Sequence, residues 1–116
     1  MTPQQRAALS AEITQRILHT KQEIERYEEL TKPIAPDRAI GRLTRMEAIG
    51  AKSIDESILR KLRLTLSELE RAAAFIEDEE FGICVDCDEP IPYKRLQIFP
   101  GARRCVRCRE LHDRGE

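Results

Sequence analysis

Two short cysteine pairs hold the chemistry of this chain: Cys84-Val85-Asp86-Cys87 and Cys105-Val106-Arg107-Cys108. They contain all four of its cysteines, and seventeen residues lie between the pairs. A C-x2-C turn aims two thiolates at one point. Two such turns facing each other offer the tetrahedral sulfur shell that Zn2+ accepts. Four protein ligands leave no position for water or substrate, so the expected cofactor is one structural Zn2+ rather than a catalytic ion. Disulfides are the weaker alternative, because they go with secretion and Met1-Thr2-Pro3-Gln4-Gln5 opens no basic and apolar leader. A thioredoxin-like redox pair is weaker too, because it goes with a βαβ pattern that the surrounding sequence lacks. Reduced, metal-bound cysteines point to a cytoplasmic protein. His112, four residues beyond Cys108, is a spare donor that a complete sulfur shell does not need.

The rest of the chain must position those knuckles. Of its 116 residues, 35% are charged, 4% are aromatic and none is Trp, a mixture that starves a globular core and suits long helices with narrow apolar seams. The formal net charge of −1 advertises neither nucleic acid nor a membrane surface, and no apolar run reaches the length of a membrane span. A Gly-rich phosphate loop and a nucleophile–base constellation are both missing, so an enzyme is not expected.

The apolar residues Leu9, Ile13, Ile17, Ile24, Tyr27 and Leu30 step mostly by threes and fours, with polar residues near Thr20, and predict a first helix. Pro33 and Pro36 end it. Asp37 is the candidate N-cap of a second helix over about 38–78. The expected seam of that helix is Ile40, Leu43, Met46 or Gly50, Ile54, Ile58, Leu62, Leu66, Leu69, Ala73 and Ile76, with a kink or close contact near Gly50. Two narrow stripes joined by a short proline-rich turn bury themselves against each other as an antiparallel coiled-coil hairpin. A first helix of about 28 residues would be a rod roughly 40 Å long. After Gly82 the prolines multiply, and Leu96-Gln97-Ile98-Phe99 suggests a small β-hairpin. The predicted fold is therefore mainly α, with a helical hairpin over 1–80 (tip near 33–39) and a four-cysteine zinc module over 81–116. Removing metal is expected to unfold the residues after Gly82 and leave the hairpin helical.

The zinc-module pattern, with Ile76-Glu77-Asp78, Phe81-Gly82-Ile83-Cys84-Val85-Asp86-Cys87, Glu89-Pro90-Ile91, Arg95-Leu96, Pro100 and Cys105-Val106-Arg107-Cys108, resembles that of the DksA/TraR family of bacterial zinc-finger transcription regulators. Pro36-Asp37-Arg38-Ala39, followed by Gly41-Arg42-Leu43-Thr44-Arg45-Met46-Glu47, is similar to the hairpin tip of the shorter members. The resemblance implies direct binding to RNA polymerase. It further implies insertion of the tip into the secondary channel, modulation of initiation, and in some members joint action with ppGpp. It makes Asp37, Arg38, Ala39 and Arg42 the candidate partner-binding residues. Two positions depart from the family pattern: Ile34 stands where a first tip acid would be, and Asp88 replaces a glycine often found after the first knuckle.

Rival readings have their own residues. Arg103, Arg104, Arg107 and Arg109 crowd the second knuckle and suggest DNA, but residues 82–116 hold seven Lys/Arg against six Asp/Glu. A zinc with four thiolates adds two negative charges more, so direct DNA binding is not expected. A protein adaptor without a tip-acid mechanism is the other alternative, and an oxidant sensor with thiols activated by Arg104 and Arg107 is a third. The proline break makes the seam self-satisfying within one chain, which favours a monomer.

Overall fold

The computed structural model describes residues 1–33 and 42–115, with the backbone alone for 42–44. Among the described residues there are four helices: α1 (Pro3–Leu30), α2 (Arg42–Phe75), α3 (Tyr93–Ile98) and α4 (Val106–Asp113). Among the described residues there is no strand, only an isolated bridge between Ile83 and Pro90. The architecture is the mainly α one expected, an antiparallel coiled-coil hairpin followed by a small four-cysteine module. No described helix is long and apolar enough to cross a membrane.

α1 starts on a capping box: the Gln5 N–H donates to Thr2 Oγ1 at 3.0 Å and the Thr2 N–H to Gln5 Oε1 at 2.9 Å. Pro3, at the first helical position, loses nothing by lacking an N–H. The exit is closed by Thr31, whose hydroxyl donates to the Tyr27 carbonyl at 2.8 Å.

The chain divides into two compact units, one of residues 1–17 with 68–116 and one of residues 18–67. In the first unit the start of α1 lies beside the end of α2. The Arg6 guanidinium donates to the Ile76 carbonyl, and at 3.4 Å to the Asp78 carbonyl, while lying over the Phe81 ring. It thereby satisfies carbonyls left open where α2 ends. Leu9, Ile13, Ala72, Ile76, Phe81, Ile91 and Leu96 form one buried cluster, and Cys84 and Cys108 belong to it. In the second unit Thr20 and Leu59 are buried, and Arg63 pairs with Glu28 at 3.2 Å.

Several expectations are corrected. The second seam is displaced by one residue at its end, burying Ala72 and exposing Ala73, and in its middle it buries Leu59 where Ile58 is only half-buried. Met46 and Ile54 are 60% and 64% exposed, because α1 stops at Leu30 and offers them no facing stripe. Thr20, read as a polar gap, occupies the buried face. α2 ends at Phe75 rather than Asp78, and beyond it the Asp78 carboxylate accepts from the Glu80 N–H at 2.8 Å, folding the acidic run Glu77-Asp78-Glu79-Glu80 into a turn. The hairpin expected at 96–99 is instead the helix α3, set by Pro92 with φ −56° and by two N–H groups, of Arg95 and Leu96, that donate to its carbonyl.

Gly50 is no contact point among the described residues: a Cβ there would meet none of them within 4 Å. Glycine in an open helix interior only adds backbone entropy to the unfolded chain, so Gly50→Ala should stabilise the protein by about 0.5–1 kcal/mol in urea melts. A loss of stability would mean that the helix surface at Gly50 is covered.

Candidate metal centre

Each knuckle is built by backbone hydrogen bonds. In the first, the Cys84 N–H donates to the Glu89 carbonyl at 2.8 Å and the Asp88 N–H returns to the Cys84 carbonyl at 3.0 Å. Asp88 sits at φ 61°, in the left-handed region that aspartate tolerates better than most residues, so the knuckle closes without the glycine. The second knuckle opens α4, with Cys105 as its extended N-terminal flank and Cys108 inside the helix. The Val85 N–H donates to the Arg103 carbonyl at 2.9 Å and ties the knuckles together.

The result is convergence: the four sulfur atoms all lie within 4.8 Å of one another. A Zn–S bond of about 2.3 Å demands sulfurs about 3.8 Å apart in a tetrahedron. Cys87 and Cys105 meet that at 3.9 Å. Cys84 and Cys108 are buried, Cys105 is half-buried and Cys87 is exposed, and His112 is exposed. The donor set fits one structural zinc and needs no fifth residue.

The thiols are not equivalent. Burial disfavours the Cys84 thiolate, but backbone hydrogen bonds with Cys105, Cys87 and Asp86 outweigh it and hold its pKa at about 6. Cys108 is pushed up to about 12, first by its hydrogen bond with the Cys105 side chain and then by burial. The causes that lower Cys84 are hydrogen bonds rather than an arginine charge. Arg104 is engaged by Asp86 at 2.7 Å, and its carbonyl accepts from Arg95 Nε at 3.0 Å. Arg109 pairs with Asp113 at 3.1 Å along α4. Two of the four arginines that suggested phosphate binding thus have carboxylate partners.

Side chains that the sequence did not single out brace the module within its unit. Arg16 donates to the Ile98 carbonyl at 2.8 Å and to the Gln97 carbonyl, and Tyr93 Oη donates to the Gln5 carbonyl at 3.3 Å. Arg71 donates to the Gly101 carbonyl at 3.0 Å, where the backbone comes so close that a Cβ would stand 3.1 Å from Glu68 Cβ. The candidate tip residues Asp37, Arg38 and Ala39, with Ile34, lie outside the described residues. Arg42 is the first residue of α2.

A sulfur tetrad closed against the ends of two antiparallel helices defines a zinc-finger protein whose metal is structural. Residues 79–114 match the prokaryotic dksA/traR C4-type zinc finger, and the chain is similar to DksA proteins in sequence and in fold. It is 31% identical to the RNA polymerase-binding transcription factor DksA of Caulobacter vibrioides over 100 residues, which cover 86% of this chain and 62% of that one. It is 38% identical over 72 residues to an uncharacterized protein of Aquifex aeolicus, covering 59% of this chain and 50% of the relative. The chain thus spans between half and two thirds of the length of these two relatives. Transcription factor DksA2 from Pseudomonas aeruginosa has a similar fold, with a TM-score of 0.76 at 19% identity over 98% of this chain and 87% of that one.

Proposed function

We propose that this protein regulates transcription by binding RNA polymerase directly, through insertion of the segment between α1 and α2 into the secondary channel. The observation that carries this reading is the pairing of the dksA/traR zinc finger with a DksA-like fold over 98% of the chain. Cys84, Cys87, Cys105 and Cys108 would hold the zinc, which keeps the helix ends joined to the module and supplies no chemistry to the partner. Asp37 would present its carboxylate toward the catalytic Mg2+ of the polymerase, and Ala39 would permit close approach. Arg38 and Arg42 would face acidic walls of the channel. With Ile34 in place of a second acid, the tip perturbs a hard cation less than two carboxylates would. The protein acts as a monomer in this reading, and ppGpp, if it participates, binds the complex.

Asp37→Asn tests the tip. Asn caps a helix about as well as Asp, so stability and polymerase affinity should be nearly unchanged while the effect on promoter open complexes falls. Ile34→Asp should strengthen that effect. If wild type and both variants bind polymerase and give the same open-complex lifetimes, the carboxylate has no role and occlusion of the channel would be the mechanism.

A further inference from the structure

The four sulfurs are not held alike. Cys84 and Cys108 are members of the buried cluster formed by the helix ends and the module, so packing fixes them. Cys105 is half-buried and only borders that cluster, while Cys87 is exposed, and the sulfurs of these two lie 3.9 Å apart. Asp86 immediately precedes Cys87, and Arg104 immediately precedes Cys105. Arg104 Nε donates to Asp86 Oδ2 at 2.7 Å, with the two side chains 24% and 44% exposed. Arg95 Nε donates to the Arg104 carbonyl at 3.0 Å and so ties the backbone of that arginine to α3. Among the described residues the other ion pairs of the module, Arg109–Asp113 and Arg114–Glu110, join residues four apart at α4 and hold nothing across the tetrad.

We propose that Asp86 and Arg104 form a latch that sets how fast this protein loses its zinc. Neither is a ligand. They are positioning residues, and they act by keeping Cys87 beside Cys105. Loss of the metal requires the sulfurs to separate, and these are the two that the core restrains least. The latch has a definite sign. Zn2+ with four thiolates carries a net charge of −2, so a lone carboxylate beside it would oppose the site, and removing that carboxylate would slow zinc loss. As half of the latch Asp86 does the reverse, because Arg104 offsets its charge and the contact holds the knuckles together.

The inference rests on the zinc assignment, and the test separates the two. It uses the full zinc-loaded chain: zinc content is measured first, and release to excess 4-(2-pyridylazo)resorcinol is then followed by absorbance. Asp86→Asn and Arg104→Gln should each speed release roughly twofold to fivefold, the factor expected of a partly exposed ion pair. The double variant should be no faster than either single one, because each removes the same contact. Asp86→Glu keeps the charge and should restore most of the wild-type rate. Unchanged rates in the single variants, multiplied effects in the double variant, or Asp86→Glu releasing as fast as Asp86→Asn would each overturn the latch. Slower release from Asp86→Asn would overturn it as well, leaving Asp86 a plain negative charge beside the thiolates. Wild type with less than one zinc per chain would overturn the metal assignment and the latch together, whereas any of the other contrary results with one zinc per chain removes the latch alone.

Discussion

Stripping zinc from this protein should unfold residues 79–114 and, in the same transition, release the neighbouring ends of α1 and α2. A structural zinc of this type is worth about 10–16 kcal/mol of folding free energy, more than a domain of this size can spare. Sequence patterning suggests that the loss would stop at Gly82. The packing says otherwise, because Cys84 and Cys108 are members of the same buried cluster as Leu9, Ile13, Ala72 and Ile76. When the sulfurs separate, that cluster loses one wall. Hydrogen exchange after chelation should therefore show lost protection at 3–17 and 68–76 together with 79–114. Residues 18–30 and 42–67, in the other compact unit, should keep theirs. Exchange confined to 79–114 would mean that the helix ends stand without the metal.

Acid should have the same effect as chelator, with a definite sign. Zinc binds thiolates, and the folded tetrad raises Cys87 and pushes Cys108 up to about 12, so near neutral pH the metal must displace protons. Zinc affinity should climb with pH up to the point where those thiols ionise, and fall on acidification. A zinc affinity flat between mildly acidic and mildly alkaline pH would contradict this titration.

The second large effect concerns Ile13, which is 0% exposed at the centre of the same cluster. Ile13→Ala removes the transfer energy of the lost methyl and methylene groups and leaves a cavity, at a cost of about 2–5 kcal/mol. Because the cluster includes two zinc-module sulfurs, the variant should also release zinc at lower chelator concentration than wild type. Ile54→Ala is the matched control. Ile54 is 64% exposed, so its truncation should change a urea midpoint very little. Equal midpoints for the two variants would mean that the helix end does not pack on the module.

The metal centre was legible because zinc ligation depends on local spacing: two C-x2-C turns announce themselves without any knowledge of the fold. Asp88 was legible for the same reason, since a left-handed residue after a knuckle is a local demand. Leu9 and Ile13 were found by periodicity, but Ala72 was not, because Ala72, Ala73 and Ala74 are identical in sequence and only packing chooses among them. Leu96 to Phe99 has the apolar content of a strand, but Pro92 starts a helix that takes Leu96 to Ile98 into it. The Thr2–Gln5 box had a readable signal, a Thr followed three residues later by Gln before an apolar run. Arg6 and Arg16 had none. Their acceptors are main-chain carbonyls 70 to 82 residues away, and carbonyls carry no sequence identity.

Whether this chain occupies the secondary channel is decided by competition on core RNA polymerase. Zinc-loaded protein should bind the purified enzyme saturably, as a monomer, and an established secondary-channel factor should displace it in proportion to that factor's own affinity. Deleting residues 34–41 while joining the helices with a short flexible linker should abolish the competition. Binding that persists unchanged beneath a saturating competitor would place the protein elsewhere on the polymerase. An absence of binding by the zinc-loaded chain would contradict the account outright.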